Sequence, residues 1–353
     1  MKFSLFVHIE RFRPDQSHAQ LFDEVEELVL MAEAAGFETV WIGEHHGMEF
    51  TIAPNPFIPL AYLAGKTKRI RLGTGNCIAP FWHPIKLAGE AAYVDVASNG
   101  RLDLGLARGA YTFEYDRIMP GLDAMGAGLR MRELVPAIKK LWAGNYAHQG
   151  EFWTWPSTTA LPTPVQQPHP PIWIAARDPN SHDFAVREGC NVQVAPLAAG
   201  DGEIESLMGK FRTACAAHPA IPRPRIMLLQ HAFVADSEDE ADGLARDLSR
   251  YYGYFFAWFK NERPISQGFI QEMSAAELAA LPQYAPDLIR RNLLIGRPEQ
   301  VIPRLRAYEA LGYDQYSIWI DSLIGHARKK KSLDLFIRHV MPVFAEGRAG
   351  GRS

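Results

Sequence analysis

Residues 17–46 read SHAQLFDEVEELVLMAEAAGFETVWIGEHH. Leu21, Val25, Leu28, Val29, Met31 and Ala32 recur at helical spacing, which predicts a helix over Ser17–Ala35. Gly36 stands where a left-handed C-cap belongs. Glu38–Ile42 then reads as a short buried strand that runs into Glu44, His45 and His46. A helix feeding a buried strand, with polar side chains at the strand's end, is the repeat unit of a parallel α/β fold.

Outward from that unit the pattern repeats. Met1–Glu10 alternates as a first strand. Helices over Pro56–Ala64, Pro84–Ala97 and Leu129–Trp142 alternate with strands over Ile70–Gly75 and Leu102–Leu106. Residues 144–171 break the rhythm with clustered prolines and the aromatics of Phe152–Trp155, and read as a surface excursion of hairpin type. Strands over Ile172–Ala176, Asn191–Ala195, Ile226–Val234 and Tyr316–Ile320 follow, with helices over Ser181–Glu188, Ile204–Ala216, Glu238–Trp258, Gly296–Leu311 and Leu333–Val340. Residues 260–294 form a second interruption, polar and rich in Pro, Gln and Arg. About eight strands, each followed by a helix, fit a (β/α)8 TIM barrel, with insertions after strands four and seven, better than an open doubly wound sheet. Residues 1–345 are expected to form one domain, and 346–353 a frayed Gly/Arg-rich tail.

Composition narrows the function. The chain has 353 residues, 37 Lys+Arg against 40 Asp+Glu, and a formal net charge of −3. That balance argues against a nucleic-acid surface. No apolar run approaches the roughly 18 residues of a membrane span. Cys77, Cys190 and Cys215 lie too far apart for a zinc spacing or a disulfide framework. A cytoplasmic, reduced protein is expected.

In a barrel of this kind the working face lies at the C-terminal ends of the strands. Arg108, beside Gly109 directly after strand four, suits an anion, because guanidinium donors pair with phosphate; a structural ion pair explains it equally well. Asp178-Pro-Asn-Ser181 opens a helix, so its amides suit a phosphate, although plain N-capping by Asp178 or Ser181 accounts for the same residues. Glu44-His45-His46 reads as a metal cluster, a base or packing. Adjacent histidines seldom share one metal, so no metal site is expected, and a proton-shuttling or hydrogen-bonding histidine is favoured. Gly73-Thr-Gly-Asn76 lacks the third glycine of a dinucleotide loop but permits close approach of a flat ligand. Cys77 reads as buried packing. The aromatics Tyr251–Trp258 read as a core face, with some available to line an apolar pocket.

Taken together, four stretches resemble the bacterial luciferase-like family of flavin-dependent monooxygenases, as in the alkanal monooxygenases. They are Met1-Lys-Phe3 with Gly36–His46 and Asn55-Pro56; Arg71–Gly75 through His83-Pro84; Asp95 with Gly100–Gly109 and Tyr111; and Gly296-Arg-Pro298 with Val340-Met-Pro342. The resemblance spans almost the whole chain. It implies reduced FMN and dioxygen forming a flavin C4a-(hydro)peroxide that oxygenates a small apolar organic molecule, an aldehyde, ketone, terpene or heterocycle. It implies His45 and Tyr111 as catalytic residues. Arg108 falls on the arginine for the flavin phosphate, Asp178 and Ser181 on a second phosphate turn, and Gly75-Asn76 on a non-prolyl cis peptide under the flavin ring. Arg177 replaces the family's glutamate, and Ala107 the reactive cysteine of the luciferases. Glu44, His46, Phe81, Trp82 and Phe113 are expected to line the substrate pocket. Arg177, Arg290 and Arg291 could supply a sulfonate site. Residues 260–294 become a mobile lid.

The resemblance also implies a separate NAD(P)H:flavin reductase and a homodimer, placed at Pro84–Ala97, where Ala88, Gly89, Ala91 and Ala92 permit close helix contact. Three rivals stand beside this reading. They are an F420-dependent oxidoreductase on the same fold, a non-catalytic flavin-binding subunit, and a metal-dependent hydrolase using His45, His46 and His83.

Overall fold

The computed structural model describes residues 1–346. The tail expected over 346–353 lies outside the described residues, apart from Glu346, which ends the helix Met341–Glu346.

Eight parallel strands close a barrel: β1 (Lys2–Val7), β2 (Thr39–Ile42), β3 (Arg71–Thr74), β4 (Leu102–Ala107), β5 (Ile172–Ala175), β6 (Asn191–Val194), β7 (Ile226–Val234) and β8 (Gln315–Trp319). Each pairs with the next, and β8 pairs with β1, so that no edge remains in the ring. The quoted repeat forms as its residues dictate. Ser17 caps the helix His18–Ala35 by accepting from the Gln20 amide, and Gly36 ends it at φ +83°. Leu21, Val25, Leu28, Val29 and Ala32 are its buried face.

Glycine makes room at the β2–β3–β4 contact. A Cβ on Gly73 would stand 2.1 Å from the Trp41 ring, and one on Gly105 would stand 2.0 Å from the Thr74 carbonyl oxygen. Trp41 itself takes the space over Gly73, while Phe6 and Trp41 take that over Gly75. The glycines read as room for a flat ligand are therefore filled by the chain's own rings. Thr74 Oγ1 adds a side-chain rung, donating to the Gly105 carbonyl and accepting from its amide, both at 2.8 Å.

The first insertion contains the expected hairpin, Tyr146–Gln149 antiparallel to Thr154–Thr158. The second holds a two-strand hairpin (Ile265–Ser266 with Phe269–Ile270), a helix at Ala275–Ala279 with a Ser274/Glu277 capping box, and a helix at Pro286–Asn292. Two helical features differ from expectation. Thr112–Ile118 is a helix, and helical structure after the last strand begins at His326, seven residues before the expected Leu333. Both are short on apolar periodicity, the signal that pattern reading needs.

The interface argument at Pro84–Ala97 is corrected. Ala88, Ala91 and Ala92 are fully buried within this chain's own barrel. That helix shows solvent Tyr93 and Val96 instead.

Candidate active site

The end of β2 supplies the centre of the site. Glu44 is buried, and its Oε2 accepts from the Ile78 amide at 2.9 Å and from the Trp82 indole N–H at 2.8 Å. Its Oε1 lies 2.8 Å from His46 Nε2. Burial pushes the Glu44 carboxyl above the usual carboxylate range, against the pull of these donors. His45 points the other way. Its Nδ1 lies 3.0 Å from Glu114 Oε2, while Glu114 Oε1 accepts the His46 amide at 2.8 Å. A carboxylate only accepts, so Nδ1 carries the His45 hydrogen and Nε2 is left as the basic nitrogen.

Glu114 is buried and sits in the first turn of Thr112–Ile118, behind β4. One buried acid thus fixes the imidazole of His45 and the backbone of His46. Tyr111, at that helix's N-cap, meets the His45 ring edge-on at 5.0 Å. Burial, reinforced by Glu114 and Glu10, holds its phenol well above the ordinary range, so it stays protonated.

At the end of β4, Arg108 is exposed. Nη1 donates to the Ala124 carbonyl at 3.1 Å, and the Tyr115 hydroxyl donates to the Arg108 carbonyl at 2.8 Å. Among the described residues it has no ion pair, so the structural reading of this arginine loses its partner. Gly109 turns the chain at φ +91°. The Gly75–Asn76 bond is cis. The Asn76 amide donates to Gln193 Oε1 at the end of β6, while the Gln193 Nε2, buried, has no partner among the described residues.

The turn after β5 is satisfied from within. Asp178 caps the helix Pro179–Arg187, accepting from the Ser181 amide at 3.1 Å, and Ser181 Oγ donates to the Asp178 carbonyl at 2.8 Å. Its hydroxyl oxygen also accepts the Arg177 amide. N-capping, the plainer of the two readings, describes what this turn does in the structure.

The expected pocket residues divide. Phe81 lies edge-on to His46 at 5.6 Å. Trp82 is buried, its indole committed to Glu44. Phe113 is buried against Trp258, with Arg117 over its ring. The three arginines do not converge. Arg177 faces Glu203, Arg290 is held by Glu238 and Asp242, and Arg291 is exposed. His83 is an exposed helix N-cap whose ring lies beside Trp155. Among the described residues no group of three His, Cys, Asp or Glu side chains is arranged to hold a metal ion. Cys77 is buried, and burial drives its thiol well above the usual range.

Sequence reading passed over Glu114, Gln193 and the far side of the mouth. His8 and Glu10 follow β1, which stops at Val7, so both belong to the working face rather than to the strand. His231, near the middle of β7, stacks on Trp319 at 4.1 Å and lies 3.0 Å from the Asp321 carbonyl. The rule that sites gather at strand ends would have found His8 and Glu10 had the strand been ended earlier.

A closed parallel barrel whose strand ends carry a carboxylate-held histidine pair defines the class: a (β/α)8 barrel with its polar groups gathered at the C-terminal mouth. The profile of the luciferase-like monooxygenases matches residues 1–315, and the chain belongs to that family. It is 58% identical over 352 residues, 100% of this chain and 98% of the relative, to the oxygenase component of the flavin-dependent trigonelline monooxygenase of Acinetobacter baylyi. Among solved structures, the monooxygenase RslO1 of Streptomyces bottropensis aligns with TM-score 0.82 at 26% identity, over 98% of this chain and all of that one. The oxygenating constituent of 3,6-diketocamphane monooxygenase from Pseudomonas putida, solved with FMN, shares the fold at TM-score 0.77 and 21% identity, over 97% of this chain and 98% of that one. No described helix is long and apolar enough to cross a membrane.

Proposed function

We propose that this protein is the oxygenase component of a two-component flavin-dependent monooxygenase. In this reading it takes reduced FMN from a separate NAD(P)H:flavin reductase in the cytoplasm and oxygenates a small N-heterocycle of the trigonelline kind. The observation that carries this reading is the 58% identity, sustained over the whole chain, with the trigonelline monooxygenase oxygenase component.

The mouth fits a phosphorylated flavin in two respects. Arg108 offers a guanidinium with no acidic partner among the described residues, suited to the phosphate. Gln193 offers a buried amide donor with no partner, beside Asn76, suited to the polar edge of a flavin ring. Asp178 and Ser181 now bond each other, so their share in phosphate binding requires that turn to exchange partners.

Reduced flavin, when bound, activates dioxygen and supplies the oxygen atom. The chain's own residues do the rest. His45 Nε2 moves a proton to or from the reacting molecule, and Glu114 holds the ring in the tautomer that leaves Nε2 basic. Tyr111 stays a phenol and can donate. Glu44 ties His46 to the Ile78 backbone and Trp82, so the turn is held by two buried carboxyls, Glu44 and Glu114. The rings of Phe50, Tyr111 and Phe255 pack at 5.8–6.4 Å and exclude water beside His45.

The protein works as a homodimer in this reading. Phe22, Ile58 and Tyr62 line an apolar groove of about 360 Å³ on the barrel's outer face, and Ile58, Tyr62 and Tyr93 are each more than half exposed. Exposed apolar groups gathered this way mark an interaction surface.

The deciding experiment supplies the purified protein with a flavin reductase, NADH, FMN and trigonelline under 18O2. Incorporation of labelled oxygen into the product is expected. Flavin oxidation that releases only hydrogen peroxide would overturn the substrate. Binding of F420 in place of FMN would move the protein to hydride transfer.

A further inference from the structure

Among the described residues, Glu10 is a buried acid with no cation of its own. It is 3% exposed. Its Oε1 accepts the Tyr251 hydroxyl at 2.8 Å, and its Oε2 has no partner. His8 Nδ1 stands 3.6 Å from Oε1, beyond hydrogen-bonding distance, and is itself unpartnered. The ammonium at hand, Lys329, lies 3.0 Å from Asp321 Oδ1, and Asp321 Oδ2 accepts the His8 amide at 2.6 Å. Lys329 is therefore engaged by Asp321. His8 does not replace it, because burial and the neighbouring His45, His231 and Lys329 pull its ring well below the usual range. Burial, then Asp321, pushes the Glu10 carboxyl the other way, against the pull of Lys329 and the Tyr251 hydroxyl. A buried acid left in this state calls for an explanation.

The surroundings supply one. Phe50 lies 6.0 Å from both Tyr251 and Tyr254, and Phe12 lies 6.1 and 5.8 Å from the same two rings. Aromatic faces attract a delocalised cation, most strongly where water is excluded. Phe50 is also 6.4 Å from the rings of His45 and Tyr111. Between Glu10 and the base stands the His8 ring, 3.6 Å from Glu10 Oε1 and 5.7 Å, edge-on, from the ring of His45. The other buried acids of the mouth are already partnered: Glu44 and Glu114 by the histidine pair and Asp321 by Lys329.

Building on the reading above, we propose that Glu10 is the anionic contact that selects a substrate with a permanently positive ring nitrogen, an N-alkylated pyridinium, within walls formed by Phe50, Tyr251 and Tyr254. Lys329 is one ammonium between two acids, Asp321 and Glu10, so such a cation supplies the second counter-charge and holds Glu10 ionised; a neutral heterocycle of the same shape does neither. Trigonelline, an N-methylated nicotinate, belongs to this class.

The test is calorimetric titration of the full chain, with reduced FMN and without oxygen, using three probes. These are trigonelline, nicotinate, whose ring nitrogen has no permanent charge, and N-methylpyridinium. Wild type is expected to prefer the two cations. Glu10→Gln should weaken both cations by about tenfold or more while changing nicotinate and FMN by less than about twofold. Glutamine matches the protonated carboxyl in shape, so folding is expected to survive. Glu10→Asp, which keeps the charge but withdraws it, should give an intermediate loss confined to the cations and serves if the first variant does not fold. Unchanged cation affinity in the variants would overturn the proposal. A wild type that binds N-methylpyridinium through Glu10 but ignores trigonelline would overturn the substrate alone. A wild type that binds neither cation would overturn both.

Discussion

His45 Nδ1 and Glu114 Oε2, 69 positions apart in sequence, lie 3.0 Å apart, and the same carboxylate accepts the His46 amide. The acid orients the base, so the two should fail alike. Glu114→Gln and His45→Ala should each lower kcat by about 10²-fold or more, the scale of general acid–base catalysis, with oxygen diverted to hydrogen peroxide. FMN affinity should stay near wild type in both. Full coupling of oxygen uptake to product in either variant would clear that residue of the role.

Arg108 has no carboxylate to lose, so its removal should cost binding without costing folding. Arg108→Ala should weaken FMN by roughly 1.5–3 kcal/mol, the size of a charge-assisted contact. The urea midpoint should stay unchanged, because the guanidinium is exposed and its contact with the Ala124 carbonyl is a surface one. Equal flavin affinity in a fluorescence titration would take Arg108 out of the phosphate site.

The barrel was legible because its signal is periodic. The buried strands and the cap at Gly36 recur as the spacing required, while Ser17, counted into the helix, is its N-cap. His45, Tyr111 and Arg108 could be singled out from the sequence because they sit directly behind strands or beside a glycine, and the structure brings the His45 and Tyr111 rings together. Glu114 was not legible, because it lies on a seven-residue helix with too few turns to show a pattern, and its importance comes only from long-range contact. Glu10 was hidden by one misplaced boundary. The alternation continues to Glu10, whereas β1 ends at Val7 and Ile9 turns at φ +60°. Trp82 and Ala88 were misplaced for a shared reason. Residue type says that a side chain is apolar or small, but not which neighbour it packs against.

Acid should unfold the protein partly through His231. Burial pulls this imidazole down to about 3 from an ordinary 6.5. Between those values the unfolded chain binds a proton that the folded one does not, so stability is lost as pH falls from 6.5 towards 3. Glu10 acts in the opposite sense, because its raised value makes the folded state hold its proton longer. The contribution of His231 is isolated by His231→Gln, whose urea stability should fall less steeply over this window than that of wild type. Parallel curves would show that another group drives the loss.

The groove around Phe22, Ile58 and Tyr62 should close in a dimer. Ile58 is 68% exposed and Tyr62 53%, so replacing them costs little within one chain. Ile58→Asp with Tyr62→Glu should give a monomer in sedimentation while wild type sediments as a dimer, because buried unpaired acids oppose association. A wild-type monomer at micromolar concentration would remove the dimer.

Residues 260–294 are the segment proposed as a lid over the site. Few of their side chains are buried, among them Ile270, Ile289 and Leu293, and the short helix Ala275–Ala279 buries none. The segment touches the working face through Gly268, whose carbonyl accepts the Glu49 amide at 2.9 Å, and through Phe269, which lies under Arg11. Glu49 follows the Glu-His-His turn by three residues, so one of the segment's holds is on the loop that carries His45 and His46; others are the Tyr284 and Asn292 carbonyls, which accept from Ser249 and Gln230. Segments with few buried contacts open locally at low cost. Limited proteolysis should therefore cut first between 261 and 285. If the segment is the lid of the site, reduced flavin together with trigonelline should slow that cut by roughly the occupancy factor of ligand linkage, about a hundredfold at saturation a hundred times above Kd. Flavin alone should protect less, because the contacts at Glu49 and Arg11 lie on the side of the mouth that also carries Glu10. Cleavage at the same rate with and without both ligands would leave the segment a surface excursion with no part in closing the site.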